Sequence, residues 1–140
     1  MDITRPTPRP DPVSQGFWDA AARGQLTVQR CAACATFQHP PRPICRACSG
    51  TDLAWQRVSG EATLWSWTVT HHGVVGGLDA ALPYICLVVE LAEQKGLFML
   101  SDLIGRAAPA ALRLGMPMRA VFPANEAPVL PQFAPAEGTP

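Results

Sequence analysis

Between positions 61 and 70 the chain reads EATLWSWTVT. Aromatic and β-branched residues alternate with polar ones, which predicts a long strand with Thr63, Trp65, Trp67 and Val69 on one face, and with Trp65 and Trp67 in a core. Two further apolar runs, 84–91 and 97–103, are separated by residues 92–96 and read as a hairpin. Pro109 suits a first helical position and Gly115 a stop, so 109–114 is predicted to form one or two helical turns. Residues 118–122 and 129–133 then supply two short closing strands.

Upstream the pattern changes. Ser14 is placed as an N-cap and Gly24 as a C-terminal stop, bracketing a helix of roughly ten residues, which is marginal by itself. Its adjacent Phe17 and Trp18 must therefore be buried, preferably in the chain's own core, otherwise against a partner. Residues 26–30 suit a short strand leading into Cys31. Fifteen prolines, about twice ordinary usage, rule out a largely helical chain, and nine of them gather in the first twelve and last eighteen positions. The expected fold is mainly β, with an N-terminal helix, a four-cysteine zinc ribbon and a C-terminal five-stranded OB-fold barrel, a barrel being preferred to an open sheet. The expected boundaries are a flexible proline-rich arm over 1–12, the helix over 13–25, the ribbon over 26–54, the OB-fold over 55–134 and a flexible tail over 135–140.

Cys31, Cys34, Cys45 and Cys48 read C-x2-C-x10-C-x2-C. Two such pairs, each on a tight knuckle, complete a tetrahedral four-sulfur shell with no open position, so the expected metal is structural Zn2+ rather than a hydrolytic centre. Iron has the same ligand geometry, which keeps a rubredoxin-like electron carrier as an alternative. His39 lies between the pairs, but four thiolates already satisfy the ion, and His39 is assigned to the loop. Cys86 falls in an apolar run and is read as a small hydrophobe.

Eleven basic residues balance eleven acidic ones, so the overall field attracts neither nucleic acid nor an anionic membrane. The neutrality hides a dipole: from position 23 to 57 five arginines face Asp52 alone, a local net of +4, while the remainder to the C-terminus is acidic. Part of that positive charge answers the thiolates. The rest suits a phosphorylated ligand, because arginine forks match phosphate geometry. No run approaches a membrane span and the first residues are polar, so a cytoplasmic protein is expected. His71 and His72 are candidate bases, but no third residue is seen to orient them.

The segments FWDAAARGQLTVQRCAAC, HPPRPICRAC, SGEATLWSWTVTHH, PYICLVVEL and LGMPMRAVF together resemble the DUF35 family over about positions 17–133. In that family a helix and a rubredoxin-like zinc ribbon precede an OB-fold. Ala35 departs from the glycine that often follows the second cysteine. The resemblance implies an acyl-CoA-associated, non-catalytic partner of a thiolase-like enzyme, among them thiolases, acyltransferases and lipid-transfer-protein-like steroid side-chain aldolases. Under that reading Arg42, Arg46 and Arg57 are candidates for the acyl-CoA phosphates, and Phe17, Trp18 and Trp55 for the partner interface. A zinc-ribbon/OB module for nucleic acid is the alternative, which zero net charge and a single lysine disfavour.

Overall fold

The computed structural model describes residues 7–73, 82–104, 108–123 and 128–136. Helix α1 spans Gln15–Ala22. It stops as its glycine requires: Gly24 adopts φ +72°, its N–H donates to Ala21 O and that of Gln25 to Ala20 O, the paired bonds of a Schellman end. The start differs from expectation. Ser14 makes no side-chain cap. Instead its Oγ and N–H both reach the Asp11 carboxylate, at 2.8 and 2.7 Å, so Asp11 closes a turn one step earlier and its pKa is lowered by those bonds to Ser14.

Three short strands follow: β1 (Thr27–Cys31), β2 (Phe37–Gln38) and β3 (Leu53–Arg57). They form one antiparallel sheet in the order β2-β1-β3. Only β1 carries a legible strand pattern. Strand β2 is two residues long, and β3 is half exposed, so neither shows a periodic apolar signal.

The remaining strands are β4 (Glu61–Thr70), β5 (Tyr84–Leu91), β6 (Phe98–Asp102), β7 (Pro117–Val121) and β8 (Gln132–Pro135). Their sheet has the order β6-β5-β4-β7-β8. Among the described residues the two edges meet at one parallel bridge, Leu103 to Phe133, where Ile104 N–H donates to Phe133 O at 2.9 Å. The helical turns expected after β6 reduce to one 3-10 turn, Pro109–Ala111. Strand β8 starts three residues later than the pattern placed it. Pro131 just before it has no N–H to offer a ladder.

One expectation on β4 is corrected. The register against β5 skips between Leu64 and Ser66, a bulge at Trp65. Ala62 and Leu64 face inward before it, whereas Trp67 and Val69 turn toward the core after it. One inserted residue reverses the parity of a period-2 element, so Trp65 is left 55% exposed, its ring centre 4.8 Å from that of Phe98 of β6 in a tilted contact. Trp65 is not a core residue.

The core is one contiguous cluster. It runs from Phe17, Leu26, Val28 and Phe37 in the helix and ribbon to Leu64, Leu87, Val89, Met118 and Phe133 in the larger sheet. Phe17 is thus buried inside the chain, with Trp18 and Trp55 half-buried against the same cluster. Polar clamps reinforce the junction: Gln94 bonds the backbone of Phe37, and the Glu93 carboxylate accepts from Ser59 N–H and Oγ.

Candidate metal centre

The spacing of each cysteine pair leaves two residues for the chain to turn back on itself, and both knuckles do so in the same way. Ala35 N–H donates to Cys31 O at 2.8 Å, and Ser49 N–H to Cys45 O at 2.9 Å. Each donor residue is left-handed, Ala35 at φ +63° and Ser49 at φ +64°. That conformation is why a glycine is favoured after the second cysteine. Alanine and serine adopt it here at some cost in strain.

The four sulfurs lie within 4.8 Å of one another. Cys31 Sγ is 3.6 Å from Cys48 Sγ, and Cys34 Sγ is 3.6 Å from Cys45 Sγ. Cys31 and Cys45 are buried while Cys34 and Cys48 face outward. Gly50 closes the back of the site, where an added Cβ would lie 3.2 Å from Cys48 Sγ. Crowded sulfurs cannot all ionise without a cation. The side-chain and backbone hydrogen bonds of Thr36 hold the Cys34 thiol down to about 6. At Cys48 the Gly50 backbone bond favours the thiolate, but the sulfurs of Cys31 and Cys34 outweigh it and push the pKa up to about 12. The donor set, four convergent sulfurs joined by no His, Asp or Glu ligand among the described residues, fits Zn2+. Bound there, the ion cross-links the two knuckles; a shell filled by four thiolates has no position for a reacting water.

Behind the centre sits a device that the sequence pattern does not reveal. Gln29 and Gln38 are both buried, and Gln38 Nε2 donates to Gln29 Oε1 at 2.8 Å. Gln29 also exchanges two bonds with the Arg42 backbone, at 2.9 and 3.0 Å. Gln38 accepts from Arg46 N–H at 2.9 Å. The two amides pin the loop between β2 and the second knuckle. Arg30 is similarly committed, donating to Ala35 O and Gln56 Oε1 while its guanidinium lies 4.8 Å from the Phe37 ring centre.

The structure places Arg42 and Arg46 on that pinned loop with exposed side chains. Arg57 stands apart, on β3 opposite Thr27, also exposed. His39 is not brought to the sulfurs. It follows β2, packs 5.5 Å from the Phe17 ring, and burial pushes its pKa down to about 4. His71 and His72 are exposed at the end of β4, and the loop they open lies mostly outside the described residues. Cys86 is half-buried, its Sγ 3.5 Å from Asp102 Oδ1. Trp55 covers Gly16 of α1.

Comparison with known proteins bears on both lobes. The family model described as the rubredoxin-like zinc ribbon domain of ChsH2 matches residues 18–54, and that of the ChsH2 C-terminal OB-fold domain matches residues 55–123. A solved chain of the Ltp2-ChsH2(DUF35) aldolase aligns with a TM-score of 0.80 at 32% identity, over 92% of this chain and 98% of that one. A DUF35 protein of unknown function from Sulfolobus solfataricus shares the fold, with a TM-score of 0.62 and 17% identity over 89% of this chain and 86% of that one. A probable enoyl-CoA hydratase alpha subunit of Thermomonospora curvata is 35% identical over 91% of this chain and 40% of its own length. The 3-oxo-4,17-pregnadiene-20-carboxyl-CoA hydratase alpha subunit of Mycobacterium tuberculosis is 35% identical over 76% of this chain and 32% of its own length. The chain therefore spans less than half the length of these two curated relatives.

Proposed function

Starting from the fact that this chain belongs to the DUF35 family, as a ChsH2-type zinc ribbon joined to an OB-fold, we propose that it is a non-catalytic subunit of a thiolase-like acyl-CoA enzyme. In that role it stabilises a lipid-transfer-protein-like or thiolase-like partner and helps to hold acyl-CoA. The observation that carries the reading is the match across 98% of the ChsH2 chain of an aldolase complex. The site chemistry supports it. The metal shell is filled by the protein's own thiolates, His71 and His72 stand exposed at a strand end, and Cys86 lies half-buried in β5 with its Sγ 3.5 Å from Asp102 Oδ1. On this reading none of these serves as a nucleophile or a base. The reaction is assigned to the partner.

Arg42 and Arg46 are the phosphate-binding candidates that this reading favours. Their backbones are pinned by buried glutamines while their guanidiniums stay exposed, which pre-orders the loop before an anion arrives. Arg57 contributes a more distant charge.

Co-expression with a thiolase-like enzyme tests the proposal. The expected result is a stable hetero-complex that turns over acyl-CoA more efficiently than the enzyme alone; separate elution of the two, with the enzyme fully active by itself, overturns it. In the complex, R42A/R46A is expected to weaken CoA binding about tenfold, the equivalent of about 1.4 kcal/mol, with unchanged thermal stability. Equal affinity in the double variant removes the arginines from the assignment.

A further inference from the structure

Between the helix and ribbon on one side and the larger sheet on the other lies a cavity of about 450 Å³, within the range of small-molecule sites. Its walls include Phe17 and Trp18 of α1, Pro40 and Pro41 after β2, Leu100 of β6 and Pro131 before β8. Rings and prolines have few rotamers and resist collapse, so the hollow is preformed. A second hollow shares His39, Pro40 and Leu100 with it and continues along the sheet to Val88 and Phe98. The combined shape is an elongated apolar slot.

Most polar groups around the slot already have partners. Ser101 Oγ donates to Pro131 O at 2.7 Å, Ser14 Oγ donates to the Asp11 carboxylate, and Cys86 Sγ lies against Asp102 Oδ1. His39 differs. Its Nδ1 is enclosed and has no hydrogen-bond partner among the described residues. An N–H at that position would lack an acceptor, so the neutral ring keeps its proton on Nε2, and Nε2 is the edge left for a ligand to reach. Burial holds the ring uncharged at neutral pH. The slot is largely apolar, with the Asp102 carboxylate and the Gln132 amide in its wall and His39 as a neutral donor, and no lining residue carries a positive charge that would attract an anion.

We propose that this slot is a binding site for an uncharged, largely apolar molecule bearing a carbonyl group, whose oxygen accepts a hydrogen bond from His39 Nε2. The physiological identity of that molecule rests on the reading above: it corresponds to the acyl portion of an acyl-CoA, whose phosphates would be held elsewhere. Two sources share this chemistry, a flexible chain and a fused-ring body.

The experiment is titration calorimetry on the full, zinc-loaded chain with dodecan-2-one and, separately, progesterone. Neither carries CoA and no partner enzyme is present, so failure here leaves the complex-forming role standing, and failure of co-elution leaves this site standing. One molecule per chain is expected, with a Kd on the order of 10 µM for the better ligand, and the preferred ligand distinguishes chain from ring. Leu100→Arg places a charge in the apolar wall at a position 75% exposed, so folding is spared; it is expected to weaken binding at least tenfold. His39→Phe should weaken it about tenfold, and His39→Gln, which restores a donor, should recover part of the loss. Absence of binding by both ligands, or binding indifferent to Leu100→Arg, overturns the site. Binding indifferent to His39→Phe overturns the hydrogen bond assigned to it.

Discussion

The side-chain amide of Gln94 grips the backbone of Phe37 from across the molecule: Phe37 N–H donates to Gln94 Oε1 at 2.9 Å, and Gln94 Nε2 donates to Phe37 O at 3.0 Å. A primary amide presents the same donor and acceptor as a peptide unit, so Gln94 acts as a one-residue strand on β2. The turn of the β5–β6 hairpin thereby sets the position of the ribbon. Q94A leaves both groups of Phe37 without a protein partner at a part-buried site. It is expected to cost about 1–3 kcal/mol in urea denaturation, with protection of the Phe37 amide lost in hydrogen exchange. Unchanged exchange at Phe37 would show that the clamp has no role.

Gly16 and Trp55 tie α1 to β3 of the ribbon sheet. A Cβ built at Gly16 overlaps the indole of Trp55, so G16A forces the ring off the helix. The helix itself prefers alanine by up to about 1 kcal/mol, which opposes the clash. Overpacking of this kind costs about 1–3 kcal/mol, and the net expectation is a loss of stability with altered tryptophan fluorescence. A stabilised G16A would mean that the indole moves aside freely.

Metal content is checked directly. The purified chain is expected to be colourless with one zinc per chain by elemental analysis. Chelation should dissolve the β2-β1-β3 sheet and free the loop pinned by Gln29 and Gln38, while amide signals of β4, β5 and β6 persist. C31S or C45S, at buried ligands, should mimic the chelated state. A coloured protein whose absorbance bleaches on reduction would identify iron instead.

His39 predicts an acid sensitivity with a definite sign. Its folded pKa is lowered from 6.5 to about 4 by burial, so between those values the unfolded chain binds a proton that the folded chain refuses. Stability is fully present above pH 6.5 and falls as the pH drops toward 4. By pH 5, with zinc in excess, this one group should cost up to about 2 kcal/mol relative to pH 7. The Asp102 carboxylate lines the same cavity, so D102N is measured alongside. In H39F the slope should flatten; an identical slope in wild type and H39F would assign it to other groups.

Local chemistry settled much of this molecule in advance. Ligand spacing in the two cysteine pairs defined the metal shell, because a knuckle is a short-range object. Gly24 marked the helix end, and the bounds of β4 and β5 followed from runs long enough to show period 2. The short strands β2 and β3 left no such trace, since two residues, or five half-exposed ones, carry no period.

What tertiary structure alone decided were the relations between distant positions. The bulge at Trp65 arises from the register that β4 takes against β5, and it reversed the inward face that alternation in the sequence implied. Gln29, Gln38 and Gln94 look like surface residues in a linear reading, yet their amides hold a loop and join two lobes, because a buried polar group is stable only where its partners converge. His39 sits between two cysteine pairs in the chain and is still not brought to their sulfurs; it packs against Phe17 and lines a slot built from five separate segments. Residue type and spacing can specify a ligand shell; only the fold brings the walls of a cavity together.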